Sequence, residues 1–126
     1  MDLEEKLGFD ADLAENGVWI VIDDDGAELK LAAMPNPAYE RFLEPHRRRA
    51  RQLQKDIPEP VYEECLAQTV LLDWKKIADK GVDLKPTVQN RLAMLRKYRG
   101  FKAMVLRLGT DQGNFRREAD EAEEKN

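Results

Sequence analysis

Apolar and polar residues alternate most clearly in the segment GVWIVIDDDGAELKLAA, at residues 17–33. Two runs rich in β-formers flank Asp25-Gly26, a pair typical of a tight type I′ hairpin turn. A hairpin over residues 17–33 is therefore expected, with Trp19 and Val21 on its second face. With Asp25-Gly26 at the turn, the register predicts these apolar pairs on the first face: Ile22 with Leu29, Ile20 with Leu31, and Val18 with Ala33.

After the hairpin, apolar residues recur at spacings of three and four, the period of an amphipathic helix. Asn36 precedes Pro37, and this pair is typical of a helix start because asparagine caps it and proline needs no backbone donor there. Pro45 lies inside the pattern, and an internal proline costs a helix about 3 kcal/mol. We therefore expect a short helix, a bend near Pro45, and a second helical stretch to about Asp56.

A further helix is expected to open at IPEP, with Pro60 near its first turn. Its apolar stripe includes Cys65, Leu66 and Val70 and continues through TVLLDWKKI to Ile77. This pattern places Asp73 on the core-facing side of the helix. The segment DKGVDLKPT that follows reads as a loop.

Thr87 is a candidate cap for the next helix, and Gly100 is a candidate stop. Beyond it, apolar residues from Phe101 to Ala119 recur at helical spacings. They predict one long helix or two abutting helices, weakened where glycines interrupt the pattern. Those glycines are Gly109 and Gly113.

These elements predict a single domain of 126 residues. Residues 1–16 form a loose acidic lead-in, 17–33 the hairpin, 37–119 a helical body, and 120–126 a frayed charged tail. The expected fold is mainly α within the α+β class, with an N-terminal β-hairpin followed by about four to five amphipathic helices. A lone hairpin is marginal in water, so this one must pack on helices or on another chain.

The composition offers little catalytic chemistry. Cys65 is the single cysteine and His46 the single histidine, so zinc lacks a plausible ligand set. Both residues fall at helical positions that suit packing, and the DDDG run lacks the spacing of a calcium loop. With no apolar run near the roughly 20 residues of a membrane span, we expect a soluble cytoplasmic protein that is not an enzyme and uses no cofactor.

Basic residues cluster in HRRRARQLQK although the net charge is −4. This cluster would suit phosphate or an acidic protein surface, or it is a solvated helix face balanced by acids elsewhere. Nucleic acid is the less favoured partner because no aromatic residues or binding motif accompany the arginines. The candidate contact residues in the cluster are Arg47, Arg48, Arg51 and Lys55.

Asp73 and Trp74 pose a choice between catalysis and structure. An aspartate on a buried face costs several kcal/mol unless it is paired, and Arg91 or amides near Thr87 are candidate partners. Tryptophan adds bulk and one N–H donor. We interpret Asp73 as tying its helix to the following loop, and Trp74 as filling the edge of the core.

Four segments in this order resemble the tail assembly chaperones of long-tailed bacteriophages: GVWIVI, NPAYERFLEPHRR, TVLLDWKKI and NFRREADEAEEKN. These are small, mainly helical proteins encoded just ahead of the tape measure protein. The resemblance runs from about Asn16 onward. The loop DKGVDLKPT and the glycines Gly109 and Gly113 depart from the family pattern.

The resemblance implies a chaperone that coats the tape measure protein and keeps it soluble until the tail tube polymerises around it. It also implies self-association, contacts with other tail proteins and, in some relatives, a longer frameshifted form. Apolar contacts would come from Trp19 on the hairpin and from Phe101 and Phe115 on the last stripe. The alternatives are a structural head–tail or tail component of the virion and a small helical regulator associated with nucleic acid.

Overall fold

The computed structural model describes residues 1–116, which form an α+β fold. The expected loose lead-in instead forms two short helices, α1 at Leu3–Leu7 and α2 at Ala11–Asn16. An aspartate caps each helix: the Asp2 carboxylate accepts a hydrogen bond from the Glu5 amide at 3.1 Å, and Asp10 accepts from two amides of α2. These local caps explain why so polar a segment is helical. The predicted tail at 120–126 and the last predicted helical positions, including Ala119, lie outside the described residues.

The hairpin consists of β1 at Val18–Val21 and β2 at Glu28–Leu31. Its predicted register is wrong by two residues, because Ile20 pairs with Leu29 and not with Leu31. The loop is longer than a two-residue turn: the Asp23 carboxylate accepts hydrogen bonds from the amides of Asp25 and Ala27 at 3.1 and 2.8 Å. A shift of two leaves each side chain on its predicted face, since strand side chains alternate with period two.

Helix α3 spans Pro37–Leu53 without a break, so the predicted division into a short helix and a second helical stretch is wrong. Pro45 has no backbone N–H to donate to the carbonyl of Arg41, and both residues are exposed. Water can therefore satisfy that carbonyl, which reduces the cost of an internal proline. The cap is as predicted, because the Asn36 side chain accepts a hydrogen bond from the Tyr39 amide at 3.0 Å.

Helix α4 spans Glu59–Thr69, and TVLLDWKKI does not continue it. The chain instead enters β3 at Leu71–Lys75, which pairs antiparallel with β2 and completes a sheet of order β1-β2-β3. A bulge opposite Lys30 and Leu31 adds one residue to β3, so that Leu71 and Trp74 are both buried although three positions apart. The predicted hairpin-then-helices order is therefore wrong in this region, since a third strand lies between helices.

The predicted loop DKGVDLKPT contains a second, small hairpin, formed by β4 at Ala78–Asp79 and β5 at Val82–Asp83. Lys80 and Gly81, with φ of 51° and 80°, form its two-residue turn. Positive φ at both central residues is the type I′ geometry that the sequence favoured at Asp25-Gly26. The Lys97 ammonium donates a hydrogen bond to the Asp79 carboxylate at 2.6 Å and fastens this hairpin to the helix that follows.

Helices α5 at Val88–Lys97 and α6 at Arg99–Thr110 abut at Tyr98. Thr87 caps α5 as predicted, but Gly100 lies in the first turn of α6 and does not stop a helix. After α6 the chain forms a 3-10 helix at Gln112–Phe115. One apolar cluster joins the inner face of the sheet to all the longer helices; its fully buried members include Leu29, Leu31, Leu43, Leu66, Leu71, Leu95, Val105 and Phe115.

Asn36 is the buried residue on which the start of α3 depends. Its side chain donates hydrogen bonds to the carbonyls of Ala33 and Thr69, at 2.8 and 2.9 Å, besides capping the helix. Asn36→Ala loses the cap, worth about 1 kcal/mol, and leaves two buried carbonyls unsatisfied at about 1–3 kcal/mol each. We expect a loss of about 3 kcal/mol or more in the free energy of unfolding, measured by urea denaturation.

Two further variants sharpen this test. Asn36→Asp keeps the capping acceptor but has no amide donors, so it is also expected to be destabilised. Asn16→Ala removes an exposed asparagine and should change the stability by less than about 0.5 kcal/mol. An Asn36→Asp protein as stable as the unmodified chain would show that the two donated hydrogen bonds contribute little.

Candidate partner-binding surface

The second part of α3 contributes no buried residue to the hydrophobic core. The helix buries only Tyr39 and Leu43, and no residue from Glu44 to Leu53 is buried. We call residues 44–53 the α3 arm. Most helical stability in proteins comes from packing an amphipathic face. The α3 arm is at most half-buried by residues 1–116, so part of its apolar face is free for another molecule.

A groove runs between the α3 arm and the residues leading into α4, with a volume of about 380 Å³. We call it the arm groove. Its apolar lining residues are Ala50, Leu53, Ile57, Pro58 and Val61, and its polar ones are His46, Arg49, Lys55 and Asp56. Leu53 is 52% exposed and lines the groove together with the other apolar residues, and contiguous exposed apolar residues are typical of interaction sites. An apolar groove with charged residues at its edge fits an amphipathic helix.

His46 lines the arm groove and stacks on Phe42, with ring centroids 5.6 Å apart and an interplanar angle of 24°. This half-buried packing matches the structural interpretation of the only histidine. Among residues 1–116, no cluster of three or more His, Cys, Asp or Glu side chains could hold a metal ion.

The four predicted basic contact residues divide into two kinds. Arg47 pairs with Glu40, and Arg51 pairs with Glu44 at 3.7 Å, each acid lying two helical turns earlier on α3. Arg48 and Lys55 are exposed, and Lys55 lines the arm groove. Part of the basic cluster is thus neutralised within its own helix.

Sequence reasoning missed Arg49, which lines the arm groove. The signal was present, because Arg49 lies three residues after His46 and one before Ala50, on the helix face that continues to Leu53. The contribution of Ile57 and Pro58 could not be found in this way. They reach the groove only through the turn between α3 and α4.

The predicted aromatic contact residues lie apart from the arm groove. Trp19 is half-buried on the outer face of the sheet, with the Lys75 ammonium 4.1 Å from its ring centroid. Phe101 packs edge-on against Trp74, with centroids 6.3 Å apart. Phe115 is fully buried, so its predicted role in partner contact is wrong for this structure; it packs against the core because the 3-10 helix turns it inward.

Asp73 and Trp74 occupy opposite faces of β3. Trp74 is buried, and its indole N–H donates a hydrogen bond to the Leu84 carbonyl at 2.8 Å. Asp73 is half-buried and pairs across the strands with Lys30, so the predicted core-facing helical position of Asp73 is wrong. Its carboxylate accepts a hydrogen bond from the Trp74 amide at 2.7 Å. The link to the following loop is therefore made by Trp74.

Arg91, a candidate partner of Asp73, is buried and binds backbone carbonyls. Its guanidinium donates two hydrogen bonds to the Ala67 carbonyl, at 3.1 and 3.0 Å, and one to the Pro86 carbonyl at 2.5 Å. Burial lowers the pKa of Arg91, and the charge of Asp73 acts in the opposite direction. Asp73 thus interacts with Arg91 through its charge, while the arginine's hydrogen bonds hold the end of α4.

Cys65 is fully buried in α4. Burial raises the pKa of its thiol, and the Thr69 hydroxyl 3.6 Å away acts weakly against this. A thiol held protonated in the core is a poor nucleophile.

Among residues 1–116, none of the helices combines the length and the apolar character needed to cross a membrane.

Comparison with protein families finds a family that matches most of the chain. The model of the YdaY prophage protein family matches residues 34–126. This chain belongs to the YdaY prophage protein family. The match associates the protein with bacteriophage and covers the α3 arm, the arm groove and β3, whereas β1 and β2 precede it. Searches of curated proteins and of solved structures gave no match.

The structural roles of Asp73 and Trp74 in this YdaY family member can be separated by substitution. Trp74→Phe keeps a smaller aromatic ring, leaves the Leu84 carbonyl without its donor and leaves a gap at a buried site, so we expect a loss of at least about 1–3 kcal/mol in unfolding free energy. Asp73→Asn keeps an acceptor for the Trp74 amide and should lose less than about 1.5 kcal/mol. Chemical denaturation measures both losses. A larger loss for Asp73→Asn than for Trp74→Phe would show that Asp73 is the main link to the loop that follows β3.

Proposed function

We propose that this phage protein is a tail assembly chaperone. In this proposal it acts in the host cytoplasm, binds the tape measure protein, and keeps it soluble until the tail tube polymerises. It makes and breaks no covalent bond and needs no cofactor. The observation that carries the proposal is the α3 arm, an amphipathic helix that buries none of its residues in the described part of its own chain.

A tape measure protein suits this surface because it is long and helical. Its amphipathic segments expose apolar stripes that associate in water unless they are covered. The arm groove offers an apolar floor between the α3 arm and Val61, with Arg49 and Lys55 beside it. Helix-in-groove binding uses apolar anchors at helical spacing for affinity and edge charges for orientation.

The pairing of charges along α3 supports a protein partner over a nucleic acid. Phosphate binding draws its affinity from several unpaired cations acting together. Here Glu40 and Glu44 lie beside Arg47 and Arg51 and would repel a phosphate backbone. The basic residues that line the groove instead accompany apolar side chains, an arrangement suited to an acidic amphipathic helix.

Coexpression tests the proposal. The tape measure protein encoded by the same prophage is expressed alone, with the unmodified chain, and with the variant Leu53→Glu, and its soluble fraction is measured. We expect the unmodified chain to raise that fraction. Leu53→Glu should weaken the complex about tenfold or more, because the variant places a charge where an apolar contact is made.

Val82→Glu is the matched control, since Val82 is 64% exposed and lies on the small hairpin of β4 and β5. It should solubilise the tape measure protein as well as the unmodified chain does. No increase in solubility with the unmodified chain would contradict the proposal. Recovery of the protein in purified particles would favour a structural virion role, and salt-dependent DNA binding would favour a nucleic-acid role.

A further inference from the structure

Helix α1 presents a second apolar surface that residues 1–116 leave uncovered. Leu3 and Leu7 are one helical turn apart on the same face and are 63% and 56% exposed. Phe9 follows at 47% exposed and makes an edge contact with Phe115, at a centroid distance of 6.4 Å. No residue of α1 is buried. The surface is therefore a short apolar stripe facing outward.

The charges around this stripe are mainly negative. Residues 2–7 contain Asp2, Glu4 and Glu5 and a single base, Lys6. The Asp2 carboxylate is engaged in capping, whereas both glutamates are exposed. The segment is thus a small, preformed, acidic amphipathic helix.

The arm groove has the complementary properties. Its floor is apolar, and Arg49 and Lys55 are exposed at its edge beside the single acid Asp56. A volume of about 380 Å³ is at the small end of the range of about 300–1,000 Å³ for binding pockets. It suits a few apolar side chains from one helical turn, such as those that α1 carries.

We infer that α1 of a second copy of this chain docks in the arm groove. The leucines of α1 cover the apolar floor around Leu53, and its glutamates approach Arg49 and Lys55. The two surfaces lie on different parts of the molecule, so the contact is heterologous. In a dimer of this kind, one copy retains a free groove and the other a free α1. Further copies can therefore add head to tail, and they form either a closed ring or an open filament.

Other occupants from this chain fit less well. The acidic segment at residues 117–126 contains no apolar residue larger than alanine, so it lacks side chains to cover the groove floor. Pairing of two grooves across a twofold axis would bring Arg49 and Lys55 of one copy towards those of the other, and like charges oppose such an interface. The acidic, leucine-bearing α1 satisfies both the charge and the apolar requirement.

The inference rests on the proposed function only in that both use the arm groove. Substitutions in α1 separate them, because they remove the self-contact and leave the groove intact for a client. The double variant Leu3→Ser/Leu7→Ser should therefore lose self-association and still solubilise the tape measure protein. If the unmodified chain fails to solubilise that protein but self-associates through α1, the chaperone proposal fails and this inference stands.

Sedimentation velocity over a range of protein concentrations provides the direct test. We expect the unmodified chain to form concentration-dependent oligomers that weaken as salt is raised. Leu3→Ser/Leu7→Ser and Leu53→Glu should each raise the dissociation constant at least about tenfold. Val82→Ser, at an equally exposed apolar site, should associate like the unmodified chain, and circular dichroism verifies that every variant is folded.

Mixing the two impaired proteins gives the sharpest result. The α1 variant still has a working groove, and Leu53→Glu still has a working α1, so an equimolar mixture should form one-to-one dimers that cannot extend. A monomeric unmodified chain at all concentrations would overturn the inference. So would oligomers that survive the α1 substitutions, or a mixture that remains monomeric.

Discussion

The fold depends on how the last carbonyls of α4 find hydrogen-bond donors. The helix ends at Thr69, and β3 begins two residues later at Leu71, with no glycine to turn the chain. Helix ends leave carbonyls without intrahelical partners, and here they are buried. The Ala67 carbonyl receives Arg91 and the Thr69 carbonyl receives Asn36, both from distant parts of the sequence. These side chains allow a helix to become a strand within the core.

The same hydrogen bonds place the candidate binding surface. Asn36 joins the end of β2 to the end of α4 and caps α3, so the first turns of α3 are fixed against the core. Only Tyr39 and Leu43 of that helix are buried, and the α3 arm continues beyond them. A rigid anchor followed by an unburied helix is a suitable design for binding, because little conformational entropy remains to be lost when a partner docks.

Two uncovered amphipathic surfaces on one small protein have a physical consequence. Apolar area left in water favours any association that buries it, and opposite charges select which surfaces meet. The arm groove is basic at its edge, and α1 is acidic. Because a client helix and α1 of another copy would occupy the same arm groove, the two contacts compete, and binding of a client would displace the self-contact.

The sequence by itself determined the features that depend on neighbouring residues. Asn36 and Thr87 cap their helices as predicted, because a cap needs only a side chain and an amide two or three residues away. The side of the sheet on which each residue of the first hairpin lies was also predictable. Strand side chains alternate with a period of two, so a register error of two residues leaves every side chain on its predicted side. The α3 arm was readable as an amphipathic basic helix, including the face that carries Arg49. The sequence could not show that residues 1–116 leave its apolar face largely uncovered.

Only the tertiary structure decided that residues 71–75 of TVLLDWKKI form a strand. Its apolar residues fit a helical spacing, and the bulge in β3 removes the alternation that would have indicated a strand. A strand also needs a neighbour, and β2, at Glu28–Leu31, ends 40 positions before β3 begins at Leu71. Local propensity cannot report a pairing over that separation, nor the carbonyls that Arg91 and Asn36 satisfy, because these interactions exist only after the chain has folded.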